Sequence, residues 1–206
     1  MMARTVKVLG LDLDNTIVSY ENVFRQAARE RGVAVPAGVS AKNALRDHYH
    51  RIGNPDEFTR LQGFSYGPGM TAAEPYPAFP GVLEGLLVSG WQVWIISHRT
   101  RHPILGPKED LHAAAQDWLA RLGLFSDKSR CVAGVHLEET REGKLARIRQ
   151  RGCAAFVDDL IEVLRDPAFP PACRPVWFSP ARSGSDESGI EVIRKWSDLP
   201  VLLDQR

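Results

Sequence analysis

Two carboxylates two residues apart, Asp12 and Asp14, followed by Thr16, stand directly after the apolar run Val6-Lys7-Val8-Leu9-Gly10-Leu11. Such a run reads as a strand, so the acids crown its carboxyl end rather than sit within its ladder. Open α/β sheets hold their ligands at that edge. An acidic pair there repels itself unless a cation or a shared proton compensates. The expectation is that Asp12 is a nucleophile, Asp14 a general acid/base, and a divalent metal holds the cluster together. Three further features end strands or open helices: Ser97 after the run 91–96, Lys144 at a helix start, and Asp158-Asp159 after the run 153–157. Together they suit phosphoryl transfer from a monoester. Asp12 can attack phosphorus and form an aspartyl phosphate, which splits one hard hydrolysis into two steps. Asp14 can protonate the leaving alkoxide and then act as base toward water. Mg2+ prefers a few carboxylates, waters and phosphate oxygens. Asp12 with one or both of Asp158 and Asp159 suits it, with the Asp14 carbonyl as a further ligand. The Ser97 hydroxyl and the Lys144 ammonium can hold the remaining phosphate oxygens as charge shifts.

These stretches are far apart in the chain, so the fold has to gather them. The run 91–96 is apolar almost throughout, as in a strand buried on both faces. Further strands are expected at 131–135, 153–157 and 174–178, the last toward an edge because Pro175 has no amide hydrogen. Helical patterning covers 22–31, 41–51 with Ser40 as N-cap, 82–89 and 108–122. Another helix starts at Pro55 and runs to about residue 61, and one from Thr140 runs to about residue 150. A helical turn follows at 160–164, with Asp159 either its cap or a metal ligand. The stretch 63–70 is too rich in Gly and Pro to be regular. Residues 1–4 lead straight into the first strand, and 183–188 read as a polar loop. Strands alternate with helices, which argues for an α/β class with parallel βαβ units. The expected division is a core of 1–19 and 78–206 with a helical insertion, 20–77.

At this point the chain resembles a known family. Gly10-Leu11-Asp12-Leu13-Asp14-Asn15-Thr16, Ile95-Ile96-Ser97, Lys144 and Phe156-Val157-Asp158-Asp159-Leu160 look like motifs I to IV of the haloacid dehalogenase-like (HAD) superfamily. The resemblance implies a Rossmann-like core with a parallel sheet flanked by helices, Mg2+ dependence and an aspartyl-phosphate intermediate. It implies Thr16, Ser97, His98 and Lys144 as phosphate-binding residues, and Asp12, Asp14, Asp158 and Asp159 around the metal. Dehalogenases and phosphonatases of the family generally lack an acid at the place of Asp14, so the likeness is to a phosphatase or phosphotransferase. The insertion has the position of the family's C1 cap. The layout after Ser97 is also similar to the deoxyribonucleotidase branch and to phosphatases of sugar pathways, which names a sugar phosphate or a nucleotide as substrate class.

The basic group His98, Arg99, Arg101 and His102 suits an anionic part of the substrate, or simply a solvated loop. His48 and His50, at i and i+2, do not share a helical face and make no metal site. The chain has 206 residues and net charge +1, with no basic excess for nucleic acid and no run long enough to span a bilayer. Three widely spaced cysteines read as buried, reduced thiols, and with no signal-type segment at the start the expected location is the cytoplasm. The expected activity is Mg2+-dependent hydrolysis of a small phosphorylated metabolite. A phosphomutase with the same intermediate and a non-enzymatic binding module are the alternatives.

Overall fold

The apolar run that opens the chain forms β1 (Val8–Leu11), and every other strand of the main sheet runs parallel to it. The computed structural model describes residues 6–124, 131–180 and 189–204, so the expectations for 1–4 and for the loop 183–188 lie outside the described residues. Two-residue strands, β2 (Val18–Ser19) and β3 (Glu74–Pro75), pair with each other. β4 (Gln92–His98), β5 (Gly134–Glu138), β6 (Ala155–Asp158), β7 (Arg174–Phe178) and β8 (Glu191–Ile193) complete a six-stranded sheet in the order β5-β4-β1-β6-β7-β8. β1 is central, with Leu11 in register with Ile95 on one side and Val157 on the other. Parallel strands share one carboxyl edge, so the ends of β1, β4 and β6 stand side by side. The Phe156 ring of β6 lies across residue 10 because that residue is glycine: a Cβ there would fall 2.4 Å from the ring.

Chain contacts divide the molecule into two compact units. The first comprises Met1–Ile17, Pro75–His98 and Leu124–Arg206, and it holds the sheet. Helices α4 (Phe79–Val88), α6 (Arg141–Arg151), α7 (Ile161–Leu164) and α8 (Leu199–Asp204) belong to it. One side of its core gathers Ile96, Leu145, Ile148, Phe156, Val163 and the thiols of Cys153 and Cys173. The second unit comprises Val18–Glu74 and Arg99–Gly123. It contains α1 (Glu21–Glu30), α2 (Ala41–Arg51), α3 (Pro55–Tyr66), a 3-10 turn (Pro68–Ala72) and α5 (Leu111–Arg121). Its two segments are joined by a buried bond from Trp118 Nε1 to the Ala73 carbonyl, 2.9 Å.

Several elements depart from the sequence reading for identifiable reasons. α3 continues to Tyr66, through a stretch read as irregular. Gly63 is tolerated inside it because a Cβ there would fall 2.8 Å from Pro103, so the missing side chain is what lets the chain pack. α5 begins at Leu111 rather than at 108, since Asp110 accepts the Ala113 amide and caps it. The strand expected at 131–135 starts at Gly134; before it, the Val132 amide donates to the Leu124 carbonyl instead. β7 is not an edge strand: β8 lies beyond it. Arg174 donates to Ala154, so alternation turns the Pro175 nitrogen toward the β8 side. The β8 ladder begins only at Val176, so no bond is lost there.

Candidate active site

β1 delivers Asp12, whose amide extends the ladder by donating to the Val157 carbonyl at 2.9 Å. The chain then turns, closed by a bond from the Ile17 amide to the Leu13 carbonyl (3.0 Å), with Asn15 at φ 59°. Asparagine is one of the few side chains that adopts this left-handed geometry readily. Ser97 lies near the end of β4 and is buried, and its hydroxyl donates to Asp12 Oδ1 at 3.0 Å. Lys144 arrives from the first turn of α6, which Thr140 caps by accepting the Gly143 amide. Its ammonium is 2.6 Å from Asp12 Oδ1 and 2.7 Å from Asp158 Oδ2. Asp158 is fully buried at the end of β6, and its Oδ1 accepts the Leu160 amide. That amide belongs to the residue before α7, whose start carries no side-chain cap. Asp159 pairs instead with Thr16, whose hydroxyl accepts the Asp159 amide at 3.1 Å and donates to Asp159 Oδ1 at 3.4 Å.

Four residues singled out from the sequence, Asp12, Ser97, Lys144 and Asp158, thus form one connected cluster, and Asp159, next to Asp158 in the chain, is bonded to Thr16. Asp14 is half-buried on the same turn, and its carboxylate adds to the negative potential at Asp12. His98, next to Ser97 but facing the other way along the strand, is exposed with a ring nitrogen 3.2 Å from the Glu139 carbonyl. Arg99, Arg101 and His102 belong to the second unit. There Arg101 pairs with Asp110 at 2.9 Å, and His102 meets the Glu109 carbonyl at 2.9 Å. Arg99 is buried among residues of that unit. Two tryptophans escaped the sequence reading as site residues. Trp177 Nε1 donates to the Asp159 carbonyl (2.9 Å) and Trp196 Nε1 to the Thr16 carbonyl (3.0 Å), pinning the two loops from below. The available signal was that a buried indole N–H needs an acceptor.

Burial pushes the Asp12 carboxyl up to about 7; the Lys144 ammonium opposes this, while Asp158 and Asp14 add to it. For Lys144, burial works to lower the ammonium, but the facing carboxylates of Asp12 and Asp158 outweigh it and the net shift is upward. The Lys144 ammonium, 2.6 Å from Asp12 Oδ1, favours the ionised carboxylate and works against the burial. One lysine cannot balance all the acids. Asp12, Asp158 and Asp159 each bring a carboxylate oxygen to within 4.8 Å of the others, a donor set that fits a hard divalent cation. A groove of about 800 Å3 runs along α5 in the second unit, and none of its lining residues belongs to the cluster.

No family model and no curated protein matches the chain. Solved structures do. A haloacid dehalogenase-like family protein from Streptococcus pneumoniae aligns over 97% of this chain and 99% of its own, with a TM-score of 0.59 and 13% identity. A protein from Haemophilus somnus, described as a predicted phosphoglycolate phosphatase, covers 98% and 100%, at 0.59 and 16%. YfnB from Bacillus subtilis, bound to magnesium, covers 98% and 100%, at 0.56 and 11%. At these identities the likeness is one of fold. With the parallel sheet and the strand-end acids already described, it establishes that the chain has the fold of the haloacid dehalogenase-like proteins.

Proposed function

We propose that the protein is a metal-dependent phosphomonoester hydrolase that works through a phosphoryl group carried on Asp12. The observation that carries the reading is the buried cluster in which Ser97 and Lys144 both meet Asp12 Oδ1. Two donors on one oxygen fix the carboxylate's direction before any substrate arrives. Asp12 attacks phosphorus, the P–O bond to the substrate breaks, and the leaving oxygen takes a proton from Asp14. Water then attacks the phosphoryl group, Asp14 accepts the water's proton, and phosphate leaves with Asp12 restored. Ser97 and Lys144 turn to the phosphoryl oxygens as negative charge moves onto them. Asp12, Asp158 and Asp159 are the residues that would hold Mg2+, which when bound supplies charge neutralisation among the acids and the phosphate. The substrate class is a small organic phosphate, a sugar phosphate or a nucleotide; the Haemophilus somnus protein with the same fold is described as a predicted phosphoglycolate phosphatase.

The role of Asp14 separates this mechanism from mere phosphate binding. Asp14→Asn should lower kcat by about 100-fold or more on an alkyl phosphate, whose alkoxide needs the proton. With p-nitrophenyl phosphate, whose leaving group needs little protonation, the loss should be much smaller. Equal losses on both substrates would overturn the acid role.

A further inference from the structure

Asp158 and Asp159 are neighbours with different surroundings. Asp158 closes β6, and its carboxylate faces the Lys144 ammonium and the Leu160 amide. Asp159 lies past the last residue that β6 pairs with β7, so the ladder does not fix it. Yet it brings a carboxylate oxygen within 4.8 Å of those of Asp12 and Asp158. Two side chains hold it there. The Thr16 hydroxyl accepts the Asp159 amide at 3.1 Å and donates to Asp159 Oδ1 at 3.4 Å, so one group fastens both the backbone and the carboxylate. The Trp177 indole N–H donates to the Asp159 carbonyl at 2.9 Å.

Thr16 must itself be fixed to do this. It is fully buried, and its carbonyl accepts the Trp196 indole N–H at 3.0 Å, across 180 residues of chain. Trp196 is 1% exposed and opens the 3-10 turn Trp196–Asp198, just before α8. Its ring meets Phe79 edge to face at 4.8 Å and lies 5.6 Å from the Phe178 ring, centroid to centroid. An indole is rigid, so neighbours that fix its ring also fix the direction of its single donor. Without that donor a buried carbonyl would lose this bond with no water to replace it. Thr16, Phe79, Asp159, Trp177, Phe178 and Trp196 all belong to the first unit.

We propose that Trp196 is a positioning residue for the cation site. Its indole N–H fixes the Thr16 backbone, the Thr16 hydroxyl fixes Asp159, and the Asp159 carboxylate is thereby held at a spacing from Asp12 and Asp158 that suits a hard divalent cation. Trp196 itself is too buried to meet cation or substrate. Groups behind a ligating carboxylate set its orientation and hence the affinity of the site. The proposal rests on the reading of Asp12, Asp158 and Asp159 as cation ligands; hydrogen exchange tests the relay without it.

The experiment uses the full chain with Trp196→Phe, which keeps a flat ring beside Phe79 and Phe178 but has no N–H, Thr16→Val, which has no hydroxyl, the two combined, and Trp177→Phe. Calorimetric titration with Mg2+ should give a Kd about 5-fold weaker for Trp196→Phe and about 10-fold weaker for Thr16→Val. In the Thr16→Val background Trp196→Phe should cost less than about 2-fold, whereas Trp177→Phe, which acts on the Asp159 carbonyl directly, should keep its own loss there. Hydrogen exchange without metal, followed by mass spectrometry, should run about 5-fold faster in peptides covering 157–160 of Trp196→Phe and stay unchanged in peptides covering β4. An unchanged Mg2+ Kd, the same loss in both backgrounds, or exchange that rises equally in β4 would overturn the proposal and leave Trp196 a support of the core as a whole. Should Trp196→Phe not fold, the wild type with isotope-labelled indoles carries the test by NMR: Mg2+ should shift the N–H signals of Trp177 and Trp196 and leave that of Trp91 in place. A Trp196 signal that stays still while that of Trp177 moves would overturn the proposal. A wild type that binds no Mg2+ would defeat the cation reading, and exchange in 157–160 would still decide whether Trp196 holds Asp159 through Thr16.

Discussion

Lys144 is 1% exposed and faces two carboxylates, and few single residues of the chain have more consequences. Taking its charge out of water is costly and is offset only while Asp12 and Asp158 oppose it. Lys144→Met removes the cation and leaves the two acids facing each other. In metal-free buffer that should lower stability by roughly 3–5 kcal/mol, the usual cost of breaking a buried pair. Mg2+ should then restore part of the loss and raise the melting temperature of the variant more than that of the wild type. A metal-free variant that melts with the wild type would contradict the electrostatic account. The thiols give a second check at this scale. Burial pushes the Cys153 thiol up to about 11 and raises Cys173 as well, so both stay protonated at pH 8. Cys131 is only half-buried. A colorimetric thiol reagent should therefore label Cys131 quickly in the native protein and Cys153 and Cys173 only on unfolding. Fast native labelling of Cys153 or Cys173 would refute their burial.

Two helices begin with side-chain caps that fix where their first turns lie. Thr140 fixes the start of α6 and hence the turn from which Lys144 reaches inward. Asp110 does the same for α5, and there pH gives a test. Its bonds from the Ala113 amide and from Arg101 hold the carboxyl below its ordinary value. The folded value lies below the unfolded one. The capping contribution is therefore present above the unfolded value and is lost as pH falls through the folded value. Asp110→Ala should melt below the wild type at pH 7, and the difference should shrink toward zero as pH falls through the folded value of the Asp110 carboxyl. A gap that persists undiminished in strong acid would mean that the ionised cap is not its source. At this scale helix positions were legible wherever an apolar stripe met a cap, as in α2 behind Ser40. Their ends were less so. Whether glycine breaks a helix or lets a neighbour approach, as Gly63 does beside Pro103, depends on a partner distant in the sequence.

For the whole molecule, the order of the strands turns scattered motifs into a site. β1 lies between β4 and β6, so Asp12 acquires Ser97 on one side and Asp158 on the other without any local signal linking them. The acids, the serine and the lysine were legible because each stands where an apolar run stops or a helix starts. The supports were not. Trp177 and Trp196 stand outside every motif of the sequence, and only the folded chain shows their N–H groups holding the Asp159 and Thr16 carbonyls. The amphipathic pattern of α5 likewise says which face is covered but not by what, and so does not reveal that residues 99–123 group with segment 18–74. The claim on which everything else depends is that Asp12 is the phosphoryl acceptor. Its most direct measurement is hydrolysis of p-nitrophenyl phosphate with Mg2+ by wild type and Asp12→Asn, with mass spectrometry of the acid-quenched proteins. The account predicts turnover by the wild type and a phosphoryl group on the peptide carrying Asp12. It predicts loss of both in Asp12→Asn, by about 1000-fold or more in rate, with the melting profile still cooperative. Wild-type activity in Asp12→Asn, or a phosphoryl group found on another residue, would contradict it.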